Sequence, residues 1–198
     1  INDNFIKLYK KFSPGPITYV LRLKKDSKIS KYVTNNQKSL AVRFPKHTLF
    51  KNLLKQLDYP LAAPSANIST KVSAVKIKDV KEEFGNKIKY VLDGGTCVVG
   101  IESTIINLTG KPTILRLGGV DISKIEQTLG IKLSLAINPM KKTAPGQSRL
   151  HYSPGIPLRM NVAKPKNDEA YILFKKQKTK LKNYFYLTAK NNLDESGK

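Results

Sequence analysis

The chain holds one cysteine, no tryptophan, two methionines and only 14 acidic residues. The single thiol, Cys97, excludes an internal disulfide and a cysteine-rich zinc site. The two histidines, His47 and His151, stand too far apart in sequence to suggest a metal pair, so no protein-held metal is expected. No apolar run approaches the ~20 residues that span a bilayer, so no membrane association is expected. Ile1-Asn2-Asp3-Asn4 does not read as a secretory signal, which leaves the cytoplasm as the expected location. Against the few acids stand 36 basic residues, giving a net charge of +22 and a pI near 10.0. Only five of these are arginine, at positions 22, 43, 116, 149 and 159. Arginine is the preferred group for specific phosphate and base contacts. A lysine excess scattered along the whole chain therefore reads as solvated faces, with RNA contact as the second use.

At 198 residues the chain has room for one full domain and part of another. Asn2 or Asp3 can cap a helix through Lys11, with Phe5, Ile6, Tyr9 and Phe12 as its apolar stripe. Ser13-Pro14-Gly15-Pro16 stops it. Strands are expected at Ile17 to Leu23, Ser39 to Phe44, Tyr90 to Leu92, Ser103 to Leu108 and Thr113 to Leu117. Helices are expected at Thr48 to Leu57, at Val75 to Phe84 before Gly85, and at Asp121 to Leu129 before Gly130. Lys24 to Asn36 is polar and reads as an exposed hairpin or loop. The mixture gives an α/β domain over residues 1–135. Residues 136–156 turn irregular and read as a linker. Ala170 to Phe174 and Tyr184 to Leu187 read as two strands of a new unit over residues 157–198, too short to bury a core.

Three segments concentrate the chemistry. Pro64-Ser65-Ala66-Asn67-Ile68-Ser69 and Gly100-Ile101-Glu102-Ser103-Thr104 set hydroxyl and amide groups on turns after short apolar runs. Such turns can converge donors on a phosphate, although ordinary capped turns use the same residues. Arg43 and Arg116 sit near strand ends, where a guanidinium suits a carboxylate or phosphate and equally a surface ion pair. Glu102 fits a base, a metal ligand or a structural partner, the last being favoured.

In order along the chain, Phe12-Ser13-Pro14-Gly15-Pro16-Ile17-Thr18, Ala41-Val42-Arg43-Phe44-Pro45, Ala62-Ala63-Pro64-Ser65-Ala66-Asn67-Ile68-Ser69, Leu92-Asp93-Gly94-Gly95, Gly100 to Thr104 and Ile114-Leu115-Arg116-Leu117-Gly118 closely resemble the threonylcarbamoyl-AMP synthase (YrdC-like) family. Pro145-Gly146 with His151-Tyr152-Ser153-Pro154 resembles the linker of its long, two-domain form. The resemblance implies a YrdC-like twisted mixed sheet with flanking helices, a linker, and the start of a Rossmann-like second domain. It implies that L-threonine and bicarbonate form a carbamate that attacks the α-phosphate of ATP, with Mg²⁺ accompanying the nucleotide. The product would serve N6-threonylcarbamoyladenosine modification of tRNA by downstream enzymes. By the same likeness Arg43, Ala63 and Ser103 would contact threonine. Ser39, Ser65, Asn67, Ser73 and Arg116 would contact the nucleotide, and Tyr152 with His151 would close over the site.

Two departures stand out. No part of residues 1–12 matches the family's Lys-x-Arg element, so a synthase domain incomplete at its N-terminus is expected, followed by a truncated second domain. Thr70 follows Ser69 where the family usually has glycine, which should stiffen that loop. The alternatives are a non-catalytic RNA-binding module or an inactive fragment. A carbamoyltransferase containing a YrdC-like domain fits less well, because the linker is present and zinc-finger cysteines are not.

Overall fold

The computed structural model describes residues 1–136, 155–179 and 182–189. The sheet order is β2-β1-β3-β4-β5, built from β1 (Ile17–Arg22), β2 (Ser39–Arg43), β3 (Thr104–Asn107), β4 (Thr113–Arg116) and β5 (Ser134–Leu135). β1 runs antiparallel to β2 and parallel to β3, β3 is antiparallel to β4, and β4 is parallel to β5. The fold is a mixed α/β arrangement, as expected.

α1 (Asp3–Phe12) and α5 (Ile122–Leu129) lie together on one side of this sheet. The Asn2 side chain accepts the Phe5 N–H and so starts α1. Its amide also donates to the Leu108 carbonyl at 2.8 Å, tying the helix start to the end of β3. Asp121 caps α5, and Gly130 ends it in the left-handed region at φ 69°. Phe5, Leu8, Ile17, Tyr19, Ile106, Leu108, Ile114, Val120, Ile125 and Leu129 fill the space between. Tyr19 is fully buried; its hydroxyl donates to the Leu8 carbonyl and shares a 2.8 Å hydrogen bond with Ser13. Burial, the largest influence, pushes its phenol pKa up.

Strands have period 2, so if Ile17 and Tyr19 enter this core, Thr18 and Val20 face the other way. Between β2 and β3 the chain forms α3 (Thr48–Lys55), α4 (Ile77–Phe84) and irregular connections. The Val75 and Lys76 N–H groups both donate to the Asp79 carboxylate, which starts α4.

Two expectations differ. Lys24 to Asn36 contains a short helix, α2 (Lys31–Thr34), started by the Ser30 hydroxyl and ended by Asn35 at φ 47°. Tyr90 to Leu92 is not a strand: Tyr90 is 83% exposed and Leu92 65%. Three apolar residues give β propensity but no partner ladder, and strands are stabilised by cross-strand pairs.

β6 (Tyr171–Lys175) and β7 (Tyr184–Thr188) form a separate parallel pair. Ile172, Phe185 and Leu187 remain exposed on it. Beside it Arg159 and Glu169 make a two-bond ion pair, and Glu169 also accepts the Lys166 N–H. These bonds, Arg159 first, lower the Glu169 pKa to about 2. Among the described residues, no helix is long and apolar enough to cross a membrane.

Candidate functional site

The register places two arginines on one face. Arg43 pairs with Thr18, Thr18 with Ile105, and Ile105 with Arg116. Paired residues on neighbouring strands project to the same side. Arg43, Thr18, Ile105 and Arg116 therefore form a row across β2, β1, β3 and β4, opposite the helix-covered core. Three strand spacings make this row about 14 Å wide.

Arg116 reaches that face through an irregularity. Ile106 pairs with Ile114, and the register shifts between Ile105 and Ile106, so Ile105 meets Arg116 instead of Leu115. In an unbroken strand Arg116 would share the parity of Ile114, which is fully buried in the core. The extra residue bends β4 and re-aims Arg116. Beyond it, Gly118 crosses so close to the chain at Glu102, Ser103 and Thr104 that a Cβ would collide with their backbone atoms.

A polar network runs from this row. Ser103, just before β3, is 3% exposed. Its hydroxyl shares a 2.8 Å hydrogen bond with Thr18 and accepts Nη2–H of Arg116 at 3.0 Å. Nε–H of Arg116 donates to the Ser103 carbonyl at 3.1 Å. Nη2 of Arg116 also lies 3.5 Å from Oε2 of Glu102. The other oxygen of Glu102 accepts the Ser73 hydroxyl at 2.6 Å. Arg43 has solvent access but is closely surrounded. Its pKa is lowered chiefly by burial and also by repulsion from Arg116, while Glu102 opposes the shift.

The turn at Ser65 to Thr70 lies on exposed, irregular chain between α3 and α4, with Ala63 and Ser65 open to solvent. Its second half is pinned. The Asn67 amide donates to the carbonyls of Ile68 and Lys71, both at 3.0 Å. Glu83 of α4 accepts the Ile68 N–H at 3.0 Å and pairs with Lys71 at 3.2 Å. Asn67 Oδ1 is buried with no hydrogen-bond partner in the protein, leaving an acceptor free inside the turn. Thr70 adopts φ 79°, a region that favours glycine. The His47 ring donates Nε2–H to the Gly94 carbonyl at 3.0 Å, holding the Asp93-Gly94-Gly95 turn against the start of α3.

Arg43, Ser103, Ser73 and Arg116 are thus brought into one neighbourhood. Ser39 shares the face of Arg43 by strand parity but lies four residues away along β2, roughly 13 Å. Tyr152 and His151 fall outside the described residues. Sequence reasoning passed over Thr18 as a site residue, although its place between two core positions, Ile17 and Tyr19, was a usable signal. It also passed over Glu83, whose link to the turn depends on tertiary packing. Among the described residues, no group of three or more His, Cys, Asp or Glu is arranged to hold a metal ion.

Comparison with known proteins places the chain in a family. The Sua5/YciO/YrdC family model, described as telomere recombination, matches residues 1–118. The threonylcarbamoyl-AMP synthase of Schizosaccharomyces pombe is 38% identical over 184 residues, covering 87% of this chain and 45% of its own. That of Pyrococcus abyssi is 39% identical over 152 residues, covering 74% of this chain and 44% of its own. A crystal structure of P. abyssi Sua5 complexed with L-threonine is similar with a TM-score of 0.80 at 28% identity, covering 100% of this chain and 63% of that one. The chain spans about half the length of the curated relatives it matches. By the extent of the family match and the order of its motifs, this chain belongs to the Sua5/YciO/YrdC family.

Proposed function

We propose that this chain carries the chemistry of an L-threonylcarbamoyladenylate synthase, a nucleotidyltransferase acting in tRNA N6-threonylcarbamoyladenosine formation. The observation that carries the reading is the Arg43–Thr18–Ile105–Arg116 row, with Ser103 held between two of its members. It sets two guanidiniums on one face, Arg43 exposed and Arg116 with its side chain 14% exposed, suited to one carboxylate and one phosphate chain. The relative complexed with L-threonine supports the choice of amino acid.

In this reading the threonine carboxylate meets Arg43, near Ala63 and Ser103. The threonine amine condenses with bicarbonate, releasing water and leaving a carbamate. A carbamate oxygen attacks the α-phosphorus of ATP, the bond to the bridging oxygen breaks, and pyrophosphate departs with the electron pair. Arg116, Ser39, Ser65, Asn67 and Ser73 serve the nucleotide, and Tyr152 is assigned to it by the family resemblance alone. Mg²⁺ enters on the phosphates of ATP as part of the substrate. Such a transfer depends mainly on alignment and on neutralising phosphate charge, which is what a rigid sheet bearing two arginines supplies. Residues 1–135 act as the synthase domain, 136–156 as the linker and 157–198 as a second unit, in a cytoplasmic protein.

The test is pyrophosphate release from ATP with threonine and bicarbonate each supplied or withheld. Release that requires both supports the proposal. Salt-sensitive RNA affinity without such release would favour the non-catalytic alternative.

A further inference from the structure

Glu102 stands between groups assigned to the nucleotide and the amino acid, and is assigned to neither. Its two oxygens are divided: one accepts the Ser73 hydroxyl at 2.6 Å, the other lies 3.5 Å from Nη2 of Arg116. Ser73 comes from the irregular chain before α4, whereas Arg116 ends β4. The backbone here is fixed without the carboxylate. The Gly119 N–H donates to the Glu102 carbonyl at 2.9 Å, and the Thr104 N–H donates to the Pro16 carbonyl at 3.0 Å. What the carboxylate adds is the placement of two side chains, Ser73 and Arg116, and one negative charge that also acts on Arg43. Its side chain is 26% exposed and that of Arg116 14%, so water screens the charges only in part.

We infer that Glu102 is a positioning residue of the proposed reaction: its carboxylate orients the Ser73 hydroxyl and the Arg116 guanidinium toward the nucleotide and lets Arg43 and Arg116 share one sheet face. This role rests on the synthase reading above. It separates affinity from rate. Removing the negative charge leaves the face more positive, so anionic ATP binds no more weakly. Removing the carboxylate frees the Ser73 hydroxyl and loosens Arg116, which Ser103 still holds by two hydrogen bonds, and misplacement of that kind slows the chemical step.

The experiment compares the wild-type chain with Glu102→Gln, Glu102→Asp and Ser73→Ala. Two readouts are used: pyrophosphate release at varied ATP, and the Nε–H resonances of ¹⁵N-arginine-labelled protein. Five arginines make that spectrum readable. Glu102→Gln is expected to lower kcat by roughly 10- to 100-fold with the KM for ATP unchanged or lower. Glu102→Asp, which keeps the charge on a shorter arm, should fall between it and wild type. Adding Ser73→Ala to Glu102→Gln should cost little more, since the two act as one unit. The Arg43 and Arg116 resonances should move in Glu102→Gln while that of Arg22 stays. A wild-type kcat in Glu102→Gln overturns the role. So does a raised KM for ATP with equal loss in the Gln and Asp variants, the mark of a collapsed site. If the wild-type chain itself releases no pyrophosphate, the synthase reading fails separately. The spectrum still decides then: shifted Arg43 and Arg116 signals support the positioning role, and unmoved ones overturn it.

Discussion

Replacing Gly118 with alanine tests the close crossing that frames the site. The new Cβ would overlap the Glu102 carbonyl oxygen, the Ser103 carbonyl carbon and the Thr104 nitrogen. All three are backbone atoms, so no rotamer change relieves the clash. Either residues 102–104 slide or the chain at 117–119 lifts. Lifting it breaks the 2.9 Å bond from the Gly119 N–H to the Glu102 carbonyl. Overpacking of this kind costs about 1–3 kcal/mol, and a lost hydrogen bond adds about 1 kcal/mol. A total near 3 kcal/mol lowers Tm by about 10 °C for a unit of this size. Gly110→Ala is the control: nothing lies within 4 Å of its added Cβ, and relief of unfolded-chain entropy should stabilise it by about 0.4–1 kcal/mol. Thermal unfolding followed by circular dichroism reads both. A Gly118→Ala protein that melts with wild type would refute the crossing as described.

The remaining predictions concern the site and its loop. Arg43→Ala should raise the KM for threonine by about 10-fold or more, since a carboxylate loses a charged partner; unchanged threonine dependence in steady-state kinetics would remove Arg43 from that role. Ser65→Ala should weaken ATP binding by about 5-fold, the worth of one hydrogen bond, and equal affinity by titration calorimetry would count against a phosphate-binding turn. The Glu83 pKa is lowered, first by the Ile68 N–H and then by Lys71, with partial desolvation opposing. A depressed folded pKa means the clamp is fully present above the ordinary glutamate range and is lost as pH falls through the lowered value. Glu83→Gln at neutral pH should mimic that loss and speed hydrogen exchange at the Ile68 amide, whereas unchanged exchange would show that Glu83 does not hold the turn.

Local signals were legible where a residue acts on its neighbours. Asn2 capping α1, Asp121 and Gly130 bounding α5, and Gly85 ending α4 follow from side-chain reach and backbone freedom alone. Thr70, read only as stiffening a loop where the family usually has glycine, sits at φ 79°. The failures are all non-local. Tyr90 to Leu92 has strand-forming residues but no strand to pair with. The register shift in β4, which turns Arg116 from the core side to the site, leaves no trace in the pattern Thr113-Ile114-Leu115-Arg116. The structural role read for Glu102 stands, but one glutamate between Ile101 and Ser103 does not say that its partners are Ser73, 29 residues upstream, and Arg116. Motif order identified the family; which side chains share a face required the sheet.

If the face bearing Arg43 and Arg116 joins threonine to a nucleotide, carbon from bicarbonate must end in an adenylate. The direct measurement incubates the purified chain with labelled bicarbonate, threonine and ATP and separates the nucleotides. Label in an AMP-containing product, absent without threonine and abolished in an Arg43→Ala/Arg116→Ala double variant that melts like wild type, is the predicted result. Label that never enters the nucleotide fraction, or that enters equally without threonine, would contradict it.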